Sequence, residues 1–340
     1  MLSRLTGGAI LRKARRLYTH PFVIIVLSIT FSLIIGEALV RFLGYAPNSN
    51  LPSPHPWAME DSDLGWVNNQ GVHLSNEIGN APMTYWDKGR RASQGEHTDG
   101  NDKKNIAIVG GSFTQGHGIV DKETFAWTLN ENNDGLFIEN YGTGGYGTFQ
   151  SLLMAENILK QGKVPDLVVY GFCYFHGERN VQAFKFANAL RREGEYFAAP
   201  FVYLDQNDKL QRGRRIKIKA WFLQSQSALV QFIHDQYYKF IFRHREENVH
   251  KVTNDLLKEM STSVQNKGAK FLVVILDNIA QRGPYKEFMN DNGITHIDCT
   301  YPEGSWWENE DLRVGKTGHP NGKLNEYWAG CIQAWLDDNF

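Results

Sequence analysis

Cysteine is scarce in this chain: Cys173, Cys299 and Cys331 are all that its 340 residues contain. So low and odd a number excludes a disulfide framework, and no spacing resembles a metal site. An excess of charge is also missing. Basic side chains number 36 and acidic ones 37, a formal net of −1, without the electrostatic footprint of a nucleic-acid binder. There are no internal repeats. With 42% hydrophobic and 13% aromatic residues, the composition is that of a folded protein, and the length suits one large domain or two small ones.

What charge there is lies unevenly. Arg4, Arg12, Lys13, Arg15 and Arg16 fall within the first twenty residues, which hold no acid, while the remainder carries 37 acidic side chains against 31 basic ones. Behind this basic tip runs Phe22-Val23-Ile24-Ile25-Val26-Leu27-Ser28-Ile29-Thr30-Phe31-Ser32-Leu33-Ile34-Ile35-Gly36, with no charge before Glu37. The run is long enough to span a bilayer with some tilt. The cationic flank favours the cytoplasm, which puts the body of the chain on the other side of a membrane. A cleaved signal peptide is the competing reading, because Gly36-Glu37-Ala38 loosely fits a small-x-small site; the length of the apolar run favours an uncleaved anchor. In an exported body Cys299 and Cys331 are able to pair, tying the last strand to the last helix. The expected organisation is a cytoplasmic tip (1–21), a transmembrane anchor (22–43), a Pro-, Asn- and Ser-rich linker (44–60) and one domain (61–340), single-pass and extracytoplasmic.

Short turn-rich pieces up to Gly100 predict a small β appendage. Strands and helices then alternate. Strands are expected at 106–110, 136–141, 167–170, 270–276 and 294–297, and helices at 124–130, 149–161, 252–266 and 327–336. This rhythm implies an α/β fold, a mostly parallel sheet with helices on both faces. An insertion at about 181–250 interrupts it. There, 215–219 alternates charge and isoleucine like a half-exposed strand, and the aromatic-rich 221–243 reads as a helix packed on the core, a lid, or a surface for anionic headgroups or an anionic polymer.

The sheet's first strand, Ile106-Ala107-Ile108-Val109, stops at Gly110-Gly111 and delivers Ser112. Ligands of open α/β sheets bind at this end of the strands. The stretch lacks the second Gly of a Gly-x-Ser-x-Gly elbow and the Lys of a P-loop. Gly111-Ser112-Phe113-Thr114-Gln115-Gly116 instead resembles block I of the SGNH (GDSL) hydrolases, Gly-Asp-Ser-x-Thr-x-Gly, with Gly111 in place of the Asp. Asn140-Tyr141-Gly142-Thr143-Gly144-Gly145 resembles block II. The stretch Gly171 to Asn180 stands where block III belongs, and Gly318-His319-Pro320-Asn321 resembles block V without its Asp.

The resemblance covers roughly 61–340 and implies a three-layer, flavodoxin-like sandwich. It also implies a serine esterase with Ser112 as nucleophile and His319 as base. The oxyanion would be held by the N–H groups of Ser112 and Gly145 and a third donor, His176 or Asn180. Asp311, Glu310 or a carbonyl would replace the missing acid, or Ser112 and His319 would work as a dyad. His117 lines the cleft or is a turn residue; Trp306 and Trp307 stack on a sugar or pack beneath the loop. Gly142-x-Gly144-x-x-Gly147 also fits a dinucleotide fingerprint, but the next strand ends without the acid that fingerprint needs, so no cofactor and no metal is expected. The implied partners are the membrane and an ester-bearing carbohydrate or lipid, with an O-acetylated envelope or exported polysaccharide as the leading substrate and no nucleic acid. An O-acetyltransferase using the same Ser–His pair and a non-catalytic, membrane-tethered carbohydrate-binding protein are the alternatives.

Overall fold

The computed structural model describes residues 21–48, 57–75, 81–95, 100, 102–192, 195–196, 198–213, 215–216, 218–277, 283–315 and 318–340. The basic tip therefore lies outside the described residues, apart from Pro21, as does the centre of the expected linker. The chain divides into two compact units, one formed by its N-terminal part with Lys219–Ile241, the other by Ser53–Ile218 and Phe242–Phe340. The stretch expected as one insertion is thus split between them.

The first unit contains helix α1 (Pro21–Phe42), which is long and apolar enough to cross a bilayer, with a mean hydropathy of 2.5 over its best window. The other unit opens with two hairpins, β1 (Ala58–Asp61) with β2 (Gly65–Asn68) and β3 (Gly71–Ser75) with β4 (Ala81–Tyr85). These are the expected appendage. The main sheet follows: β5 (Lys104–Gly110), β6 (Leu136–Asn140), β7 (Leu167–Phe172), β8 (Lys270–Ile275) and β9 (His296–Asp298), in the order β9-β8-β7-β5-β6. Every pairing in it is parallel. Renumbered along the sheet this is 2-1-3-4-5, the flavodoxin-like order, which places a switch point between β5 and β7.

Side chains alternate across this sheet as strand geometry requires. Ala107, Val109, Val168, Tyr170, Phe271 and Val273 face one core, shared with helices at Thr148–Lys160 and Val249–Gln265. Ile106, Ile108, Val169, Leu272 and Val274 face the other, shared with helices at Phe125–Glu131 and Gly322–Asn339. The result is three layers. Cys299, just past β9, is disulfide-bonded to Cys331 of the last helix.

Two expectations about 181–250 are corrected. The strand there, Leu210–Gly213, pairs with Phe201–Leu204 and ends before the charge–isoleucine alternation begins; Ile218 is buried and Arg215 donates to the Asp61 carbonyl at 2.9 Å. The aromatic-rich helix runs Ala228–Glu246, with turns in place of helix over 221–227.

Candidate active site

The switch point is built from glycines. Gly110 and Gly171 are register partners across β5 and β7, and a Cβ on either would fall 2.1 or 2.2 Å from Thr114 Oγ1. Their bare backbones leave a slot that Thr114 fills. The chain can therefore turn at once into the short helix Ser112–Gln115, which puts the Ser112 N–H at a free helix N-terminus.

From the other end of the chain comes His319. A two-residue ladder pairs Val314 with His319 and Arg313 with Pro320. Asn321 fixes this ladder in two ways: its Oδ1 caps the last helix by accepting from the N–H groups of Lys323 and Leu324, and its Nδ2 donates to the Asp311 carbonyl at 2.7 Å. His319 Nε2 lies 3.2 Å from Ser112 Oγ, within reach for proton transfer. The Phe113 ring meets the His319 ring edge-on, and the largely buried His117 imidazole packs beside it at 4.8 Å between centroids. His117 is a wall of the His319 site rather than only a turn residue. Trp306 is fully buried and stacks on the partly exposed Trp307 at 4.2 Å. Trp306 is therefore a packing residue, and Trp307 alone presents surface.

The two candidate acids do not meet His319. The Glu310 side chain is 91% exposed and reaches Arg313 at 3.9 Å. Asp311 is exposed too, engaged through its backbone by Asn309 and Asn321.

The second loop is held by Asn140, the first residue of the block II stretch, and by Trp66 and Asn68, which no local motif singles out. Asn140 donates to the Thr114 carbonyl and accepts from the Gly142 N–H. Asn68 of β2 donates to the Gly142 carbonyl and accepts from Gln115 Nε2 at 2.7 Å. Trp66 donates to the Gly144 carbonyl, and its ring lies 2.9 Å from where a Gly145 Cβ would stand. Gly145 also has φ +83°, so position 145 requires glycine on both counts.

Of the two candidates for a third oxyanion donor, neither is available. Asn180 spends its amide on Thr148 Oγ1 and Thr253 Oγ1, and its carbonyl on the Phe149 N–H; it anchors the helix at Thr148–Lys160. His176 is buried, and its Nδ1 receives the Cys173 N–H at 3.4 Å beside the Tyr170 hydroxyl at 2.8 Å. The Tyr170 hydroxyl donates in turn to Thr148 Oγ1 at 3.0 Å, so Nδ1 is spent within a buried chain of hydrogen bonds. Nε2 has no surface to offer and no partner among the described residues, and it lies 2.8 Å from the place of a Gly111 Cβ. Burial holds this imidazole well below its usual pKa of 6.5, so it is neutral.

Next to it stands a cation that the sequence did not reveal. Arg179 is partly exposed, donates to the Tyr146 carbonyl at 2.8 Å and lies over the Phe175 ring. Its Nη1 is 3.2 Å from the same Gly111 Cβ position. Burial lowers its pKa only to about 10, and the described residues provide no ion pair for it. Ser112 is thus flanked by positive charge.

Comparison with known proteins finds no matching family model and no matching curated protein. Among solved structures, the fold is similar to that of a lipolytic protein of the G-D-S-L family from Veillonella parvula, at 11% identity over 68% of this chain and 98% of that one (TM-score 0.39). It is also similar to a psychrotrophic esterase from Pseudoalteromonas, at 12% identity over 69% and 100% (TM-score 0.37). A GDSL-like lipase from Bacteroides thetaiotaomicron matches at 12% identity over 70% and 89% (TM-score 0.36).

Proposed function

We propose that this protein is a serine ester hydrolase working through an acyl-enzyme. The observation that carries the reading is the 3.2 Å approach of His319 Nε2 to Ser112 Oγ at the switch point of a parallel sheet. His319 takes the Oγ proton as Ser112 attacks the ester carbonyl. The N–H groups of Ser112 and Gly145 hold the resulting oxyanion, and the Arg179 guanidinium adds a favourable field. Collapse expels the alcohol, which receives the proton from His319. Water, deprotonated by the same imidazole, then releases the acid. His176 acts as a positioning residue that backs Gly111.

An O-acylated carbohydrate of the envelope, or one exported from the cell, is the substrate we favour. The partly exposed Trp307 face near His319 supports stacking on a sugar. The Cys299–Cys331 bond supports an oxidising compartment, in keeping with an α1 anchor whose basic flank stays in the cytoplasm.

The test uses the detergent-solubilised full chain with p-nitrophenyl acetate and a fluorophosphonate probe. Hydrolysis and labelling that both vanish in Ser112→Ala, with hydrolysis lost in His319→Ala, are the expected results. A wild-type chain that neither turns over nor labels would sink the hydrolase reading.

A further inference from the structure

The helix at Ala228–Glu246 buries two polar side chains, Gln231 and His234, beside Ala228, Tyr238 and Phe242, and leaves a second apolar stripe outside. Ile233, Tyr237, Phe240 and Ile241 lie on that exposed side, Phe240 at 72%. Ahead of it Phe222 is 89% exposed. A helix in water normally does the reverse, turning its apolar stripe inward. At i, i+4, i+7 and i+8, the four exposed apolar residues form one continuous stripe.

What covers that stripe follows from how this segment is attached. Glu37 sits five residues before the end of α1, about 8 Å in from its last residue at 1.5 Å per residue. A carboxylate at the edge of the hydrocarbon needs partners. Here it accepts from the N–H groups of Ala228 at 3.0 Å and Leu229 at 2.9 Å, and from Ser227 Oγ at 2.7 Å. Arg41 of α1 donates to it as well, at 2.6 Å. Gly36 gives Leu229 room to pack directly on α1, a Cβ there falling 3.1 Å from Leu229 Cδ2. Tyr45 meets Phe232 edge-on at 5.0 Å. The start of this helix is therefore pinned to α1 at the depth of Glu37.

Resting on the reading of α1 as an uncleaved anchor, we propose that 222–241 is a second membrane contact. It lies in the headgroup region of the bilayer that α1 crosses, with Ile233, Tyr237 and Phe240 turned to acyl chains and Lys239 beside them toward the headgroups. A short interfacial helix with one apolar face and basic flanks binds lipid in this way.

Depth measured in a membrane tests this. Cys173 is buried and the other two native cysteines are bonded to each other, so an introduced cysteine can be labelled selectively with an environment-sensitive NBD dye. Full chains carrying Ile29→Cys, Ile233→Cys, Phe240→Cys or Lys239→Cys are reconstituted in 3:1 phosphatidylcholine–phosphatidylglycerol vesicles containing doxyl-lipid quenchers. Blue-shifted emission and strong quenching are expected at 29, 233 and 240, with at least twofold weaker quenching at 239. Quenching at 29 with water-like emission at 233 and 240 overturns the proposal. So does a blue shift at 240 that grows with protein density without lipid quenching, because a second copy then covers the stripe. Absence of quenching at 29 removes the anchor itself and the proposal with it.

Discussion

His176 Nε2 occupies the space that a side chain on Gly111 would need, 2.8 Å from the missing Cβ. Position 111 is where the resembling hydrolases carry an aspartate, so the two positions are coupled. Gly111→Asp should destabilise the fold by about 1–3 kcal/mol, as overpacking does, and abolish fluorophosphonate labelling of Ser112. Gly111→Asp combined with His176→Ala should recover part of the stability. Urea denaturation of the four-member cycle measures the coupling.

The buried neutral His176 also predicts a pH dependence. Its pKa is depressed in the folded state, so below about pH 6.5 the unfolded chain takes up a proton that the folded chain refuses. Stability from this group is complete above pH 6.5 and falls by up to about 1.4 kcal/mol per unit as the pH drops toward the folded value. His176→Gln should show a shallower decline between pH 6.5 and 5 than wild type. Equal slopes in denaturant titrations would refute it.

On the proposed mechanism Arg179, whose Nη1 lies 3.2 Å from the place of a Gly111 Cβ, should matter for kcat more than for KM. Arg179→Gln should lower kcat about 10- to 100-fold on p-nitrophenyl acetate, with Arg179→Lys intermediate. A loss confined to KM would show that it only binds substrate.

Much of this was legible in the chain because its signals are local. Val- and Ile-rich strands ending in glycine mark the sheet, and the order of four short blocks picks out Ser112 and His319 although 207 residues separate them. Other roles depend on where a polar group points in three dimensions. Asn180 looks like a free amide until Thr148 and Thr253 are seen to consume it. Trp66, Asn68 and Arg179 carry no signature, since a distant hairpin and one helical turn bring them to the glycine loops. The strand expected at 215–219 does not form among the described residues there, because Ile218 is buried and Arg215 is tied to the Asp61 carbonyl instead of alternating across a sheet.

Losing the Cys299–Cys331 bond frees a loop with a sequence separation of 32. Chain entropy puts the cost of Cys331→Ser at about 3–4 kcal/mol. The same loop carries His319, so the variant should lose hydrolysis at a lower temperature than wild type, as an activity-versus-temperature series would show.

The separation of Ser112 from His319 also has a meaning in time. Translation at about 5–20 residues per second needs roughly 10–40 s to travel from the nucleophile to the base. Throughout that interval the emerging chain holds a serine with nothing to deprotonate it. On the proposed mechanism the chain is inert toward any ester it passes until the 313–320 ladder that carries His319 has been made.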